Sequence, residues 1–209
     1  SSPIAESHSI TSAALFGRVA PQIGHAQHMP GHIYSGVGMW HEAAISMDAA
    51  TRVEKQYMRR RLTFPFNNWN YAHNRNYLGY IQEQLGMAEA AISGGKQLLA
   101  APLDPKYNQP EKYGAQRAGK TALLRALIKF ERWAEVLDAR TLPWRDFVQD
   151  RMNKAYSETM AHLGMANLVG RAASSEAMAN LGKAAKSFAA HTGLKKEIEK
   201  PENKWLNET

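Results

Sequence analysis

The chain has 209 residues, of which 44% are hydrophobic and 22% are charged, and this composition indicates a folded domain and excludes a disordered chain. It contains no cysteine, so disulfide bonds, thiolate metal ligands and a cysteine nucleophile are excluded. The net charge is +7, but the basic residues outside the run Arg59-Arg60-Arg61 are mixed with acidic ones, so we expect solvated helix faces and no nucleic-acid partner. No apolar stretch approaches the ~20 residues that a membrane-spanning helix needs, so no span is expected.

Helical patterns cover almost the whole chain, and the alternating pattern of a strand is essentially missing. The predicted helices span residues 9–20, 24–38, 41–58, 69–85, 88–100, 112–130, 132–139, 145–163, 166–181 and 183–192. Prolines fall in the predicted breaks, where they belong, at Pro65, Pro102, Pro105, Pro110 and Pro143. We expect the last residues, from about 194 to 209, to form a frayed tail.

A short internal repeat is visible along this series of helices. Residues 37–45, Val-Gly-Met-Trp-His-Glu-Ala-Ala-Ile, resemble residues 85–92, Leu-Gly-Met-Ala-Glu-Ala-Ala-Ile, and weaker copies occur at residues 130–137 and 163–168. In each strong copy a glycine is placed to end one helix in a left-handed cap, and alanines follow where the next helix crosses. Each copy therefore predicts a turn between two helices.

The repeat resembles the tetratricopeptide pattern. The first copy fits it best, with Gly31, Tyr34, Gly38, Trp40, Ala43 and Ala50 at the family's spacings. The first two copies are about 48 residues apart against a usual period of about 34, so the repeats are irregular. The resemblance implies an all-α, right-handed solenoid of antiparallel helical hairpins. We expect a single domain over residues 1–193, made of a half-repeat at 1–22, repeats at about 23–60, 69–102, 112–140 and 145–182, and a terminal helix at 183–193.

Residues 20–34, Ala-Pro-Gln-Ile-Gly-His-Ala-Gln-His-Met-Pro-Gly-His-Ile-Tyr, resemble a group of bacterial tetratricopeptide proteins marked by a His-Met-Pro-x-His-Ile segment. The later run Asn70-Tyr71-Ala72-His73-Asn74 is similar to that group's second, Asn- and His-containing helix. The resemblance implies a fold and a soluble bacterial protein of the cytoplasm or periplasm, but it implies no activity.

The first predicted helix, residues 9–20, occupies the place of the second helix of a hairpin whose first helix is missing. Its apolar face, with Ala13, Ala14, Leu15 and Val19, would lack part of its cover, and the ends of a solenoid need a capping element. Members of the resembled group are also longer upstream. We therefore expect a fragment of a longer chain, or a partner or second copy that covers this end.

Three histidines, His25, His28 and His32, are spaced i, i+3, i+7, so on a helix they lie along one stripe. In the tetratricopeptide register this stripe faces the concave groove, and His73 holds the equivalent place in the second repeat. Asn76, Tyr80 and Glu83 extend the stripe. Pro30 leaves one question open: if the helix begins there, His25 and His28 leave the stripe.

Three or four imidazoles are ligands that suit zinc, copper or nickel, so His25, His28, His32 and His73 form a candidate metal site. Contact with a bound peptide, or packing through mutual hydrogen bonds, is the alternative role for the same histidines. A metal-dependent enzyme would also need a base, for which Glu83 is the candidate.

Residues 114–121, Gly-Ala-Gln-Arg-Ala-Gly-Lys-Thr, match the phosphate-loop pattern letter for letter. The residues before them are polar, whereas that motif requires a buried strand there. We interpret the match as a coincidence inside a helix.

Three functions follow in order of preference. The first is a binding module without a recognisable catalytic motif, whose histidine-rich groove holds a peptide or protein partner. The second is a transition-metal-binding protein, or a metal-dependent enzyme, that uses the same histidines. The third is a structural assembly piece that associates, with itself or with a partner, through the uncovered first helix.

Overall fold

A computed structural model describes residues 3–104, 106, 114–169 and 174–198 of the chain. Over these residues it is all-α, as predicted, and contains no strand. The helices are α1 (Pro3–Val19), α2 (Gly24–Gly36), α3 (Trp40–Arg61), a 3₁₀ turn (Pro65–Asn67), α4 (Trp69–Gln84), α5 (Ala88–Leu99), α6 (Ala115–Lys129), α7 (Trp133–Leu137), α8 (Val148–Val169) and α9 (Ser174–Ile198). None of the helices in this part of the chain combines the length and the apolar character that crossing a bilayer needs.

The helices divide into two compact units, Ser1–Ala126 and Leu127–Thr209, with the boundary inside α6. In the first unit each helix from α1 to α5 packs on the next, and α2 also contacts α4. In the second unit α7 packs on α8, and α8 packs on α9. The predicted single domain over 1–193 stays a prediction, because compact units can belong to one domain.

The core of the first unit includes two clusters of buried side chains. One joins α3, α4 and α5 through residues that include Met58, Tyr71 and Leu98. The other joins α3 to α4 through Met47 and Ile81, neither of which is exposed at all. These clusters hold α4, which carries His73, against its neighbours.

The turns that follow α2 and α4 have the left-handed glycine predicted from the repeat. Gly38 has φ 81° and Gly86 has φ 72°. In both turns the next N–H reaches back to a carbonyl five residues earlier, from Met39 to Tyr34 and from Met87 to Gln82. This is the Schellman arrangement, and it satisfies carbonyls that the helix end leaves free.

The third copy makes the same turn without a glycine. Glu131 has φ 56°, and the N–H of Arg132 donates to the carbonyl of Leu127 at 2.8 Å. A residue with a Cβ in this region costs ~1–2 kcal/mol. The three copies are therefore the same turn in backbone terms, although the sequence similarity of the third is weak.

The predicted fourth turn, at Gly164, is wrong. Helix α8 continues through Leu163-Gly164-Met165 to Val169. Gly164 is instead the point at which α8 meets Trp133, because a Cβ added there would lie 2.2 Å from the indole ring. The predicted helices at 166–181 and 183–192 are also wrong as bounded, since α9 runs unbroken from Ser174 to Ile198.

Other helix boundaries differ less from the prediction. Helix α1 begins at Pro3, earlier than predicted, and α9 includes residues 194–198 of the predicted tail. The rest of the predicted tail, and also Pro105 and Pro110, lie outside the described residues. On α1 the side chains of Leu15, Phe16 and Val19 are exposed, whereas Ala13 is buried. A cover for this face stays a prediction.

The left-handed turns generate a stability prediction. Replacing Glu131 with Gly should raise the free energy of unfolding by about 1 kcal/mol, and replacing Gly86 with Ala should lower it by about as much. An added Cβ at Gly86 meets no atom within 4 Å, so the loss would be conformational and not steric. Urea denaturation measures both changes.

Gly36→Ala is the matched control, because Gly36 also has open space around it but has no positive φ. It should leave stability unchanged or slightly increased. Equal losses at Gly36 and Gly86 would contradict the assignment of the left-handed cap.

Candidate metal centre

Helix α2 begins at Gly24, so Pro30 lies inside the helix and does not start it. His25, His28 and His32 therefore share one helix, which answers the question that the sequence left open. Helix α4 begins at Trp69 and contributes His73, and its first turn is capped by Asn68, whose side chain accepts from the Tyr71 N–H. The contact between α2 and α4 brings the two sets of histidines together.

Three imidazoles meet at this contact, and we call His28, His32 and His73 the histidine cluster. The ring centroids are 4.3 Å apart for His28 and His32, 4.9 Å for His28 and His73, and 5.7 Å for His32 and His73. One nitrogen from each ring can be chosen so that all three lie within 4.8 Å of one another. These three residues could hold a metal ion.

His25, the fourth predicted ligand, does not belong to this group of three. Its side chain is exposed, and its ring stacks on His28 with the centroids 5.5 Å apart. The structure therefore brings together three of the four predicted histidines and leaves His25 at their rim.

Neighbouring side chains orient each ring of the cluster. The Nδ1 of His28 lies 2.7 Å from Oδ1 of Asn74, in a buried hydrogen bond. Because an amide oxygen only accepts, Nδ1 carries the proton and Nε2 keeps its lone pair. His73 is stacked under Trp69 at 4.5 Å, and His32 packs at 4.3 Å on Tyr77.

Burial keeps the three rings neutral at ordinary pH. It is the largest cause that lowers the pKa of His28 to about 4, and the charge of a protonated His32 lowers it further. Burial also lowers the pKa of His32 and of His73, with additional contributions from His25 and His32 respectively. A neutral imidazole is the form that coordinates a metal ion.

The remaining predicted groove residues, Asn76, Tyr80 and Glu83, surround Arg125 of α6 and not the histidines. The Nε of Arg125 donates to both carboxylate oxygens of Glu83, at 2.9 and 2.8 Å. Its other nitrogens donate to the Asn76 side chain and backbone, and the guanidinium lies 5.6 Å from the Tyr80 ring centroid. The Glu83 side chain is 2% exposed and that of Arg125 is 32% exposed, so this is a half-buried ion pair.

This pairing separates Glu83 from the histidine cluster. Glu83 is ten positions after His73, which is about 15 Å along α4. The carboxylate predicted as a base is thus committed to Arg125, and the structure does not bring it to the imidazoles.

Two residues that matter at these sites, Asn74 and Arg125, were not among the residues predicted from the sequence. Asn74 follows His73 directly, and its place in the Asn- and His-containing run was the available signal. Arg125 is 42 residues from Glu83, and no local pattern links them.

Apart from Gly114, the residues that match the phosphate-loop pattern lie in a helix, as predicted. Residues 115–121 lie in the first turns of α6, and the residues preceding Gly114 lie outside the described part of the chain. Gly119 packs directly on α5, because an added Cβ would lie 2.3 Å from the backbone nitrogen of Leu99. Helix packing accounts for that glycine.

Comparison of the chain with protein-family models, with curated proteins and with solved structures finds no match to any of them. The resemblance to tetratricopeptide proteins therefore stays a prediction.

The depressed pKa of His28 generates a pH prediction. A pKa of about 4 in the folded chain, against 6.5 for an ordinary histidine, means that the unfolded chain binds more protons between these values. The neutral ring stabilises the fold above pH 6.5, and this contribution is lost as the pH falls toward 4. For His28 alone the loss corresponds to about 3 kcal/mol.

Urea denaturation at pH 7.5 and pH 4.5, in the presence of a chelator, measures this effect. His28→Gln should flatten the pH dependence, whereas His41→Gln, at an exposed position on α3, should leave it unchanged. The same slope in both variants would contradict the assignment.

Proposed function

We propose that this chain binds a divalent transition metal, zinc, copper or nickel, through His28, His32 and His73. The observation that carries the proposal is the convergence of three imidazole nitrogens within 4.8 Å on two helices. In a tetrahedral zinc site with ~2.0–2.1 Å bonds, ligand nitrogens are about 3.4 Å apart. Small rotations of the three rings would bring the nitrogens to that separation.

The surroundings of the cluster support this reading. Metal-binding histidines almost always use their second nitrogen in a hydrogen bond that fixes the tautomer, and Asn74 provides that bond for His28. Three protein ligands leave a fourth position for water, for His25 or for a ligand. The proposal is limited to binding, because Glu83 is paired with Arg125 at a distance from the cluster.

We further propose that the helices of the first unit form a right-handed solenoid of tetratricopeptide-like hairpins, and that this fold holds the site. The equivalent left-handed turns at Gly38 and Gly86 support it, as does the direct contact of α2 with α4, the first helices of successive hairpins. Gly31 is consistent with the pattern, because an added Cβ would lie 2.7 Å from Met47 on the second helix.

The metal content of protein purified without a histidine tag tests the proposal, before and after incubation with zinc, copper or nickel. We expect about one ion per chain. Asn74→Ala should weaken affinity by ~10–100-fold, the usual cost of removing an orienting partner, and His32→Ala should weaken it more. Titration calorimetry measures the affinities.

His41→Ala is the matched control, because His41 is an exposed histidine outside the cluster. Circular dichroism should confirm that His32→Ala remains folded. Absence of metal uptake, or uptake that survives His32→Ala, would exclude the site.

A second candidate is recognition of a peptide, and a row of rings along α4 favours it. Trp69, His73, Tyr77 and Tyr80 follow one another at ring separations of 4.5, 6.2 and 5.7 Å. Trp69, at the end of the row, is 57% exposed. Aromatic side chains of this kind are common anchors in protein interfaces.

Selection from a random peptide library displayed on phage tests this candidate. Enriched peptides should bind the unmodified chain at least about tenfold more tightly than Trp69→Ala. Tyr156→Ala, which removes an exposed aromatic ring from α8, is the control. Peptides that bind all three proteins equally would argue against the row as a binding surface.

A further inference from the structure

A polar cavity of about 400 Å³ lies among α3, α4 and α5, and none of the histidines lines it. Three of its side chains are cationic, Arg52, Lys55 and Arg75, and one, Asp48, is anionic. The cavity therefore carries an excess of positive charge. Glutamine and threonine side chains provide further polar lining.

The guanidinium of Arg75 is the unusual group in this cavity. It is partly buried, and within the described residues it makes no hydrogen bond to any acceptor. It lies against the α5 backbone at Gly94, where an added Cβ would be 2.6 Å from an Arg75 nitrogen. Burial lowers the pKa of Arg75, although Tyr71 and Asp48 oppose that shift. A desolvated cation with unused donors is costly unless an acceptor reaches it.

Asp48 is near enough to attract Arg75, but its carboxylate is engaged elsewhere. It accepts from the Nε of Arg52 at 2.7 Å, and the side chains of this pair are 45% and 75% exposed. Exposed pairs of this kind contribute ~1 kcal/mol or less, so the pair can rearrange easily. Asp48 is thus an internal competitor for whatever anion approaches Arg75.

Lys55 completes the positive side of the cavity. Its ammonium lies 5.9 Å from the centroid of the Tyr71 ring. Tyr71 is one helical turn before Arg75 on α4, so Lys55 and Arg75 border the same part of the cavity. A planar guanidinium binds two oxygens of an oxyanion at once, and a lysine adds a mobile point charge. The two groups together match a phosphate better than a single carboxylate.

We propose that this cavity binds a phosphate dianion through Arg75 and Lys55, either as free phosphate or as the phosphate group of a small molecule. The cavity is larger than the ion itself and falls in the usual size range of small-molecule sites. The site is separate from the histidine cluster, so it does not depend on the proposed metal binding.

Titration calorimetry with inorganic phosphate and with glucose 6-phosphate tests the proposal, against glucose and against sodium chloride of matched ionic strength. Arg75→Gln should weaken binding of the phosphate probes by at least about tenfold, because it removes a charged hydrogen-bond donor. Asp48→Asn should strengthen binding several-fold, because it removes the competing carboxylate. Arg59→Gln, an exposed arginine on the same helix as Lys55, should change nothing.

Preference for glucose 6-phosphate would identify a phosphate ester as the ligand, and preference for inorganic phosphate would identify the free ion. Lack of binding by either probe at matched ionic strength would overturn the proposal. Weaker binding by Asp48→Asn would overturn it as well, and this exposed substitution remains informative if Arg75→Gln fails to fold. If Arg59→Gln lost as much phosphate affinity as Arg75→Gln, the binding would depend only on the overall positive charge of the chain, and the proposal would be overturned.

Discussion

The hydrogen bond between the His28 ring and the Asn74 amide joins α2 to α4 across 46 residues of sequence, and the geometry of the histidine cluster depends on it. Both partners are buried, so a shift that broke this bond while the helices stayed packed would leave two polar groups without a partner, at ~1–3 kcal/mol each. The Asn74 amide nitrogen has no hydrogen bond, so within the described residues the bond to His28 is what offsets the burial of this side chain. Rotation or sliding of α4 on α2 would break it.

The same burial links the stability of the fold to the chemistry of the cluster. Three imidazoles held this close cannot all be protonated without mutual repulsion, and their burial already favours the neutral form. Neutral rings are also the metal-binding form. The burial that packs these helices together therefore also keeps the histidines in the form that binds a metal ion. Acid should consequently weaken both folding and metal binding.

The sequence predicted those parts of the molecule that local patterns determine. The left-handed turns at Gly38 and Gly86 follow from a glycine in a helix-ending context, and the histidine stripe follows from helical spacing. Gly164 sits in a similar sequence context, but its glycine is needed for contact with Trp133, and only tertiary structure distinguishes the two uses. The pairing of Glu83 with Arg125 could not be predicted for the same reason. It joins residues on two helices, and no local sequence pattern indicates that these helices lie side by side.

Helix α4 separates two kinds of chemistry on opposite sides. His73, Tyr77 and Tyr80 fall within about 60° of one another around the helix, whereas Arg75 is about 160° from His73. One side thus presents neutral imidazoles with lone pairs, and the other presents a partly buried guanidinium that donates no hydrogen bond to any described residue. A metal ion and a phosphate would be held about a helix diameter apart, ~10 Å, which is close to the screening length in dilute salt. Because the two ligands have opposite charge and lie on different faces of α4, neither would obstruct the other, and the charge of each would weakly favour binding of the other.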